Sequence, residues 1–244
     1  MKKTFRLMAL VAMTAGLAFS SCDRDEPVNP IPDNPTPVNP VDPDPEDPTA
    51  EWVDLGLPSG LLWATCNLGA SSPEGYGDYY AWGETETKSY YDWSNYRYCN
   101  GSEDQLTKYC TNPDYGYNGF TDDLTTLQDM DDAATHALGN GTRTPTMAEW
   151  DELEDNTTST WTTMNGVKGR KFIAANGKSL FLPAAGDRSD GEFNNAGLYG
   201  PYWSSSLLSY APLAACYFSI TPDGQSMGGR SRCIGFSVRA VRQN

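Results

Sequence analysis

The side chains that could carry out chemistry are few in this chain. It has one histidine, His136, which falls among Ala133, Ala134 and Leu138 in a segment predicted to be helical. A histidine in that setting is more often packed or capping than a general base. Ser-His-Asp catalysis would depend on this same residue, and one histidine without a Cys-x-x-Cys motif gives a zinc site little to build from. The sequence therefore predicts a protein that is not an enzyme.

Cys22 is the cysteine placed for covalent modification. Basic residues at positions 2, 3 and 6 precede an apolar run from Leu7 to Phe19 and the small pair Ser20-Ser21. This order is typical of a secretory signal, and the run is too short for a permanent membrane span. The junction resembles that of bacterial lipoproteins, so we expect residues 1–21 to be a signal peptide and Cys22 to be acylated. The alternative is a secreted protein that is cleaved near Ser21 and carries no lipid.

Residues 22–50 have the composition of a tether. Positions 23–50 hold eight acids, one base and nine prolines, with almost no large apolar side chains. Proline and charge repulsion extend such a chain, so it should form an acidic, semi-rigid spacer. The acids directly after Cys22 resemble the surface-export signal of lipoproteins in the Bacteroides group. We expect a surface-exposed lipoprotein of the outer membrane.

Residues 51–244 remain for one domain with a sizeable core. Eight of the 32 acids and four of the 17 bases precede residue 51, which leaves 24 acids against 13 bases in the domain. That balance excludes nucleic acid as a partner, because nucleic-acid binding requires a basic face. The domain has no apolar run of 18 residues, so a lipid anchor is the only membrane contact that we expect.

Two groups of residues in the domain could hold a crosslink or an ion. Cys99 and Cys110 flank a short polar loop and are the favoured disulfide, although five cysteines after Cys22 leave at least one unpaired. Five aspartates crowd one region and could bind calcium, or they could occupy the first turns of helices. These are Asp122, Asp123, Asp129, Asp131 and Asp132. No other metal or cofactor is expected.

The pattern of the domain favours short strands and long ordered loops, because glycine and polar clusters interrupt it often. Apolar spacing predicts one helix over Leu124–Leu138 and another that begins at Thr144-Pro145, with Thr144 as its cap. Asn176-Gly177 is a strong hairpin-turn signal. Strands are predicted at Leu61–Cys66, Tyr79–Trp82, Lys171–Ala174, Ser179–Pro183, Ala215–Ile220 and Gly235–Val241.

Seven sequence blocks carry a resemblance to a known family. They are Asp54–Ala64, Tyr80–Glu84, Asp131–Ala134, Arg143–Trp150, Phe181–Gly186, Tyr202–Ser206 and Gly235–Arg242. In this order they resemble the Fibrobacter succinogenes major paralogous domain, which is abundant in lipoproteins of gut Bacteroides relatives. That family looks related to C-type-lectin-like folds of the formylglycine-generating-enzyme subtype. The resemblance implies an α+β domain with short antiparallel strands, two helices, long ordered loops, and first and last strands that meet.

The resemblance also raises an enzyme hypothesis, because formylglycine-generating enzymes use reactive cysteines. No two cysteines here can be aligned with that catalytic pair, and fold alone does not carry an activity. Such an enzyme stays a remote alternative. Four tryptophans, Trp63, Trp82, Trp150 and Trp203, lie within the family blocks and are predicted to be core.

The best candidate for a binding face lies between Ser206 and Arg230. From Ser204 to Asp223 the chain lacks Lys, Glu, Gln, Met and Trp, the five amino acids that no codon ending in C encodes. Variable proteins of diversity-generating retroelements, some of which have this fold, randomise adenines in such codons. The predicted ligand-binding residues combine apolar, hydroxyl and aromatic groups without charge. They are Leu207, Leu208, Ser209, Tyr210, Pro212, Leu213 and Tyr217.

Strand alternation within this face assigns Cys216 and Phe218 inward and Tyr217 outward. The alternative is that residues 214–220 form a core strand and that only the preceding loop is exposed. The prediction from sequence is a tethered binding module that recognises a protein or glycan ligand at the cell surface. A structural or assembly component of a surface or fimbrial complex is the alternative function.

Overall fold

The computed structural model describes residues 52–139 and 141–244. The predicted signal peptide, the predicted acylation site Cys22 and the predicted tether through residue 50 lie outside the described residues. None of the described helices is long and apolar enough to cross a membrane.

The described chain is α+β, with antiparallel strand pairs in every sheet and two α-helices. This confirms the predicted class at the coarse level. In chain order the elements are β1 (Trp52–Asp54), β2 (Leu62–Ala64), α1 (Ala133–Leu138), β3 (Thr142–Arg143), α2 (Met147–Asp155), β4 (Thr157–Met164), β5 (Val167–Ala174), β6 (Ser179–Pro183), β7 (Asp187–Ser189), β8 (Glu192–Asn194), β9 (Gly200–Leu207), β10 (Ala214–Thr221), β11 (Gly224–Ser231) and β12 (Val241–Arg242). Short 3-10 turns occur at Trp93–Asn95, Pro113–Tyr115, Tyr117–Gly119 and Asp129–Asp131.

The first and last strands meet in one sheet, in the order β1-β2-β12-β3. Val241 pairs with Trp63 on one side and with Arg143 on the other. This confirms the predicted pairing of the closing strand. The predicted strand over Gly235–Val241 is wrong in extent, because single bridges occupy its first half: Phe236 bonds to Tyr80, and Ser237 bridges to Tyr202 of β9.

A second sheet, in the order β9-β10-β11, separates two apolar clusters. Alternation along the strands sends Trp203 and Tyr217 toward one cluster, and Tyr202 and Phe218 toward the other. On the second side Trp150 of α2 stacks on Phe218, with ring centroids 4.8 Å apart. The four tryptophans predicted to be core are all fully buried. Burial of these large side chains on both faces fixes the sheet that carries the candidate site.

The third sheet, β4-β5-β6, contains the predicted hairpin. Gly177 takes a positive φ of 85°, and the Ala174 amide donates to the Lys178 carbonyl at 2.9 Å. Asn176-Gly177 therefore forms the turn that the sequence indicated, and β6 has the predicted bounds.

Both helices begin later than predicted. Thr146, not Thr144, caps α2, and it forms a capping box with Glu149. Thr144 instead donates to the carboxylate of Asp132, which caps α1. The predicted helix over Leu124–Leu138 is wrong before residue 133, because Leu127 and Thr125 exchange backbone hydrogen bonds with Ser205 and Leu207 of β9. Pairing with β9 satisfies the backbone there, so an intrahelical bond is not needed.

Candidate functional site

The loop from Leu208 to Leu213 joins β9 to β10 and closes on itself. The Leu208 amide donates to the Ala214 carbonyl at 3.1 Å, and the Ala211 amide donates to the Leu208 carbonyl at 2.8 Å. From the neighbouring segment, Thr111 Oγ1 donates to the Ser209 carbonyl at 2.8 Å. These bonds give the loop a defined backbone without regular secondary structure.

Arg232 holds the loop from beneath, and its side chain is fully buried. Its Nη1 donates to the Pro212 carbonyl at 2.9 Å and to the Tyr109 carbonyl at 2.7 Å, while Nη2 donates to the Lys108 carbonyl at 3.0 Å. The guanidinium also lies over the rings of Trp82 and Tyr96, 5.3 and 5.2 Å from their centroids. One planar cation thus joins the loop to residues 108–109 and to the core.

The structure divides the seven predicted binding residues into two groups. Tyr210 is 84% exposed and Ser209 is exposed, while Leu208 and Leu213 are half-buried. Leu207 and Pro212 are buried, so their inclusion in a contact surface is wrong. Leu207 packs in the core cluster beneath the loop. The part of the predicted face that can contact a ligand is therefore Leu208, Ser209, Tyr210 and Leu213, which we call the 208–213 face.

Tyr217 lies within β10 and not in a loop, and it is half-buried. Cys216 and Phe218 are buried, as alternation predicted. The Tyr217 ring points to the opposite side but packs against Phe236, with centroids 5.3 Å apart, and lies across Gly228, where a side chain would meet it at 2.8 Å. The predicted exposure of Tyr217 is therefore wrong, because this face of the sheet also packs against a core cluster.

A second loop region borders the 208–213 face and was missed from sequence. The Asp122 carboxylate accepts the backbone amides of Tyr109 and Cys110, at 2.8 and 3.0 Å, and so shapes the segment that carries Thr111. Tyr117 and Phe120, in the same segment, are 42% and 37% exposed. Exposed aromatic rings on ordered loops are suited to ligand recognition. The run of tyrosine, asparagine and glycine in residues 115–119 is the sequence feature that could have indicated this region.

The predicted disulfide between Cys99 and Cys110 is wrong, because both thiols are free. Cys99 Sγ donates to the Trp93 carbonyl at 3.1 Å, and Cys110 Sγ donates to the Asn112 carbonyl at 3.1 Å. Burial raises the pKa of both thiols, and it raises the pKa of Cys233 to about 12. The thiolate, which is the reactive form, is therefore disfavoured at these three positions.

The aspartates considered for calcium are directed to different partners. Asp131 accepts hydrogen bonds from Tyr98 and Tyr109, and it forms an ion pair with Lys108 at 2.5 Å. Asp132 caps α1, and Asp122 binds backbone amides as described above. Among the described residues no group of three or more His, Cys, Asp or Glu side chains could hold a metal ion. The helix-turn alternative applies to Asp132, which caps α1, and to Asp129 and Asp131, which lie in the first turn of a 3-10 helix.

Residues 224–228 have the Gly-x-Ser-x-Gly spacing of a nucleophile elbow, with Ser226 at its centre. An elbow requires a sharp turn between a strand and a helix, whereas these residues run along β11. Ser226 Oγ lies 3.1 Å from Ser219 Oγ. His136 is exposed on α1 and forms no hydrogen bond through its ring among the described residues. The motif therefore has neither the backbone nor the base that its chemistry requires.

A partly open cavity of about 10 Å³ is lined by Trp82, Leu127 and Trp203, among others. That volume holds one water molecule, so this cavity cannot admit a ligand. Comparisons with protein-family models, curated proteins and solved structures gave no match. The 208–213 face and its aromatic neighbours are thus the candidate site on geometric grounds, and recognition there would use a surface.

Proposed function

We propose that this chain is a binding module tethered to the cell surface, and that the 208–213 face recognises a protein or glycan ligand. The observation that carries the proposal is Tyr210, an 84% exposed aromatic side chain on a loop whose backbone is fixed by buried Arg232. A tyrosine supplies a large amphipathic contact area at low entropic cost, and a fixed loop has little freedom left to lose on binding.

The proposed architecture is the C-type-lectin-like fold of the Fibrobacter succinogenes major paralogous domain. Three features support it: a closing strand that pairs with β2 near the start of the domain, two α-helices, and a long segment between residues 65 and 132 that has no named strand or α-helix. The absence of Lys, Glu, Gln, Met and Trp from residues 204–223 fits a face diversified by a retroelement. A near-copy of this coding region beside a reverse-transcriptase gene would support that origin.

The tether is proposed from sequence, and labelling tests it. Cells fed a palmitate analogue should label the chain, and Cys22→Ala should abolish the label and release the protein from the membrane. Protease added to intact cells should cut within residues 23–50 if the domain is displayed outward. Unlabelled protein that is soluble after export would contradict the anchor.

A substitution at Tyr210 tests the binding face. The full chain and its Tyr210→Ala variant would be applied to a glycan array and to an array of extracellular proteins. For any ligand that the wild type binds, we expect the variant to lose about 1–3 kcal/mol of binding free energy, the scale of an interface hot spot. Its melting temperature should not change, because the side chain packs against little.

Tyr90→Ala is the matched control, since Tyr90 is also an exposed tyrosine, 44% accessible, but lies outside the 208–213 face. It should bind like the wild type. Normal binding by Tyr210→Ala would place the face elsewhere.

A further inference from the structure

The strand β11 leaves one edge of the central sheet open. Its eight residues pair one-to-one with β10 without a bulge, from Gly224 opposite Thr221 to Ser231 opposite Ala214. Within the described part of the chain, residues 225–230 form no backbone hydrogen bond with any segment other than β10. The outer edge of this strand therefore presents unpaired backbone groups.

The phase of the ladder identifies those groups. In an antiparallel pair, alternate residues bond to the partner strand, and the residues between them point away. The Arg232 amide donates to the Leu213 carbonyl at 3.1 Å, in line with the ladder. Residues 230, 228, 226 and 224 therefore bond to β10, as residue 232 does. The amide and carbonyl groups of Gln225, Met227 and Gly229, which lie between them, point away from β10.

Apart from the charge of Arg230, this edge lacks the devices that normally block strand addition. Natural edges are protected by lysine, proline, inward charges, bulges or a covering segment. Residues 224–231 read Gly-Gln-Ser-Met-Gly-Gly-Arg-Ser, with no proline, no acid and no lysine. Ser226, Gly229 and Arg230 are exposed. An eight-residue edge of this kind is a template for one more strand.

We propose that β11 accepts an extended segment of another protein as an added strand, and that an acidic side chain of the segment pairs with Arg230. Arg230 is the only charged residue of β11, and none of the ion pairs of the described residues includes it. A second copy that added its own β11 is a poorer occupant, because β11 carries no acidic side chain to pair with Arg230. The chain's own residues 23–50 are also poor donors, since their nine prolines lack amide hydrogens.

This surface is separate from the proposed ligand contacts of Tyr210, and it suits a different partner. Main-chain hydrogen bonds supply affinity in strand addition, and side chains at alternate positions supply specificity. Occupancy of both surfaces would let one displayed molecule join a ligand to a neighbouring protein.

A proline at position 229 tests the edge. Gly229→Pro removes an outward amide and places a ring on the open edge, without costing a bond to β10. Gly229→Ala is the matched control, because it keeps the amide but adds the same first side-chain atom. That atom would meet Leu208 Cδ2 at 2.5 Å in both variants, so any displacement of Leu208 is shared.

The probe is a phage-displayed library of random ten-residue peptides, selected on the full-length protein. We expect selected peptides to contain aspartate or glutamate, and to bind the wild type, Gly229→Ala and Tyr210→Ala with similar Kd. Binding to Gly229→Pro should be at least tenfold weaker, while all variants keep their melting temperature. In the wild type, bound peptide should slow hydrogen exchange at the amides of Gln225, Met227 and Gly229.

Four results would overturn the proposal. A library that yields no binder, or binders that recognise Gly229→Pro equally well, would show that the edge does not add a strand. Self-association without peptide that slows exchange at the same three amides would assign the edge to a second copy. Peptides that fail on Tyr210→Ala but bind Gly229→Pro would belong to the 208–213 face, so failure here leaves the proposed function separately testable.

Discussion

Arg232 and Arg239 are buried cations that are held without a carboxylate. Arg239 donates from Nε and Nη2 to Asn67 Oδ1, at 3.1 and 2.7 Å, and from Nη1 to the Ala64 carbonyl at 2.9 Å. Burial lowers the pKa of its guanidinium. Arg232 uses carbonyls in the same manner. Because each guanidinium makes four hydrogen bonds, to acceptors from several segments, each arginine joins parts of the chain that are distant in sequence.

Replacement of Arg232 should therefore destabilise the loop that carries the candidate site. In Arg232→Met the carbonyls of Lys108, Tyr109 and Pro212 lose their buried donor, at a cost of about 1–3 kcal/mol for each unsatisfied group. We expect the free energy of unfolding to fall by at least about 3 kcal/mol in urea denaturation. Arg230→Met, at an exposed position, should change it by less than about 0.5 kcal/mol. Equal unfolding midpoints for the two variants would contradict the anchoring role.

Asp131 should affect how the free energy of unfolding depends on pH in the acidic range. Burial pushes its pKa upward, but hydrogen bonds from Lys108, Tyr109 and Tyr98 outweigh it and leave the pKa below the ordinary range. Its contribution is thus complete above the unfolded value of about 3.9 and is lost as the pH falls through the lower folded value.

We expect the wild-type free energy of unfolding to drop steeply below about pH 4. Asp131→Asn should be less stable at pH 7 and should show a shallower drop, measured by urea denaturation from pH 7 to pH 2.5. Asp129→Asn, at an exposed position, is the control and should follow the wild type. An unaltered slope in Asp131→Asn would mean that other carboxylates govern the acid transition.

At the level of elements, the caps determine where the helices begin. Asp132 accepts the amides of Ala134, at 2.8 Å, and Thr135, at 3.3 Å, and both the amide and the hydroxyl of Thr144. It ties α1 to the segment before α2. Thr146 caps α2 alone, through its box with Glu149.

Two cap variants should therefore differ in their cost. Thr146→Ala removes one cap and should lower the free energy of unfolding by about 1 kcal/mol. Asp132→Ala leaves several buried donors unsatisfied and should cost at least about 2 kcal/mol more. Asp155→Ala, at the exposed end of α2, is the control and should cost little. Equal losses for the two cap variants, in chemical denaturation, would show that Asp132 acts only locally.

The elements also show which features the sequence could predict. Strong local signals gave correct results: Asn176-Gly177 forms its turn, and the four tryptophans predicted to be core are fully buried. The predicted helix over Leu124–Leu138 failed because β9, some 80 residues later, offers its first half backbone partners. Periodicity along one segment carries no record of such a distant edge.

The candidate site was predictable to a similar degree. Composition located the loop and Tyr210, but alternation could not foresee that core would lie on both sides of β10, which buries much of Tyr217. The disulfide prediction failed for a similar reason, because spacing along the sequence does not show which groups each thiol contacts in the fold. Cys99 and Cys110 flank a short loop, yet Cys99 Sγ donates to the Trp93 carbonyl and Cys110 Sγ donates to the Asn112 carbonyl.

At the scale of the whole molecule, the C-terminal segment connects several other elements of the fold. Residues 236–241 are all buried, and β12 lies between β2 and β3, so it joins the start of the domain to the segment that precedes α2. The same segment bridges Tyr80 and Tyr202 and carries Arg239. Both apolar clusters contain its side chains: Phe236, Val238 and Ala240 belong to one, and Val241 to the other.

Truncation of the chain after Gly235 should therefore abolish folding and not merely trim it. The deletion removes six consecutive buried residues, leaves cavities in both clusters and exposes the edges of β2 and β3. Loss of Phe236 alone costs about 3–5 kcal/mol, a large fraction of a typical domain's stability, and the deletion also removes the buried Val238 and Val241. We expect no cooperative thermal transition by circular dichroism. Removal of Gln243 and Asn244, both exposed, is the matched control and should leave the melting temperature unchanged. A protein ending at Gly235 that still melts cooperatively near the wild-type temperature would show that β12 does not close the fold.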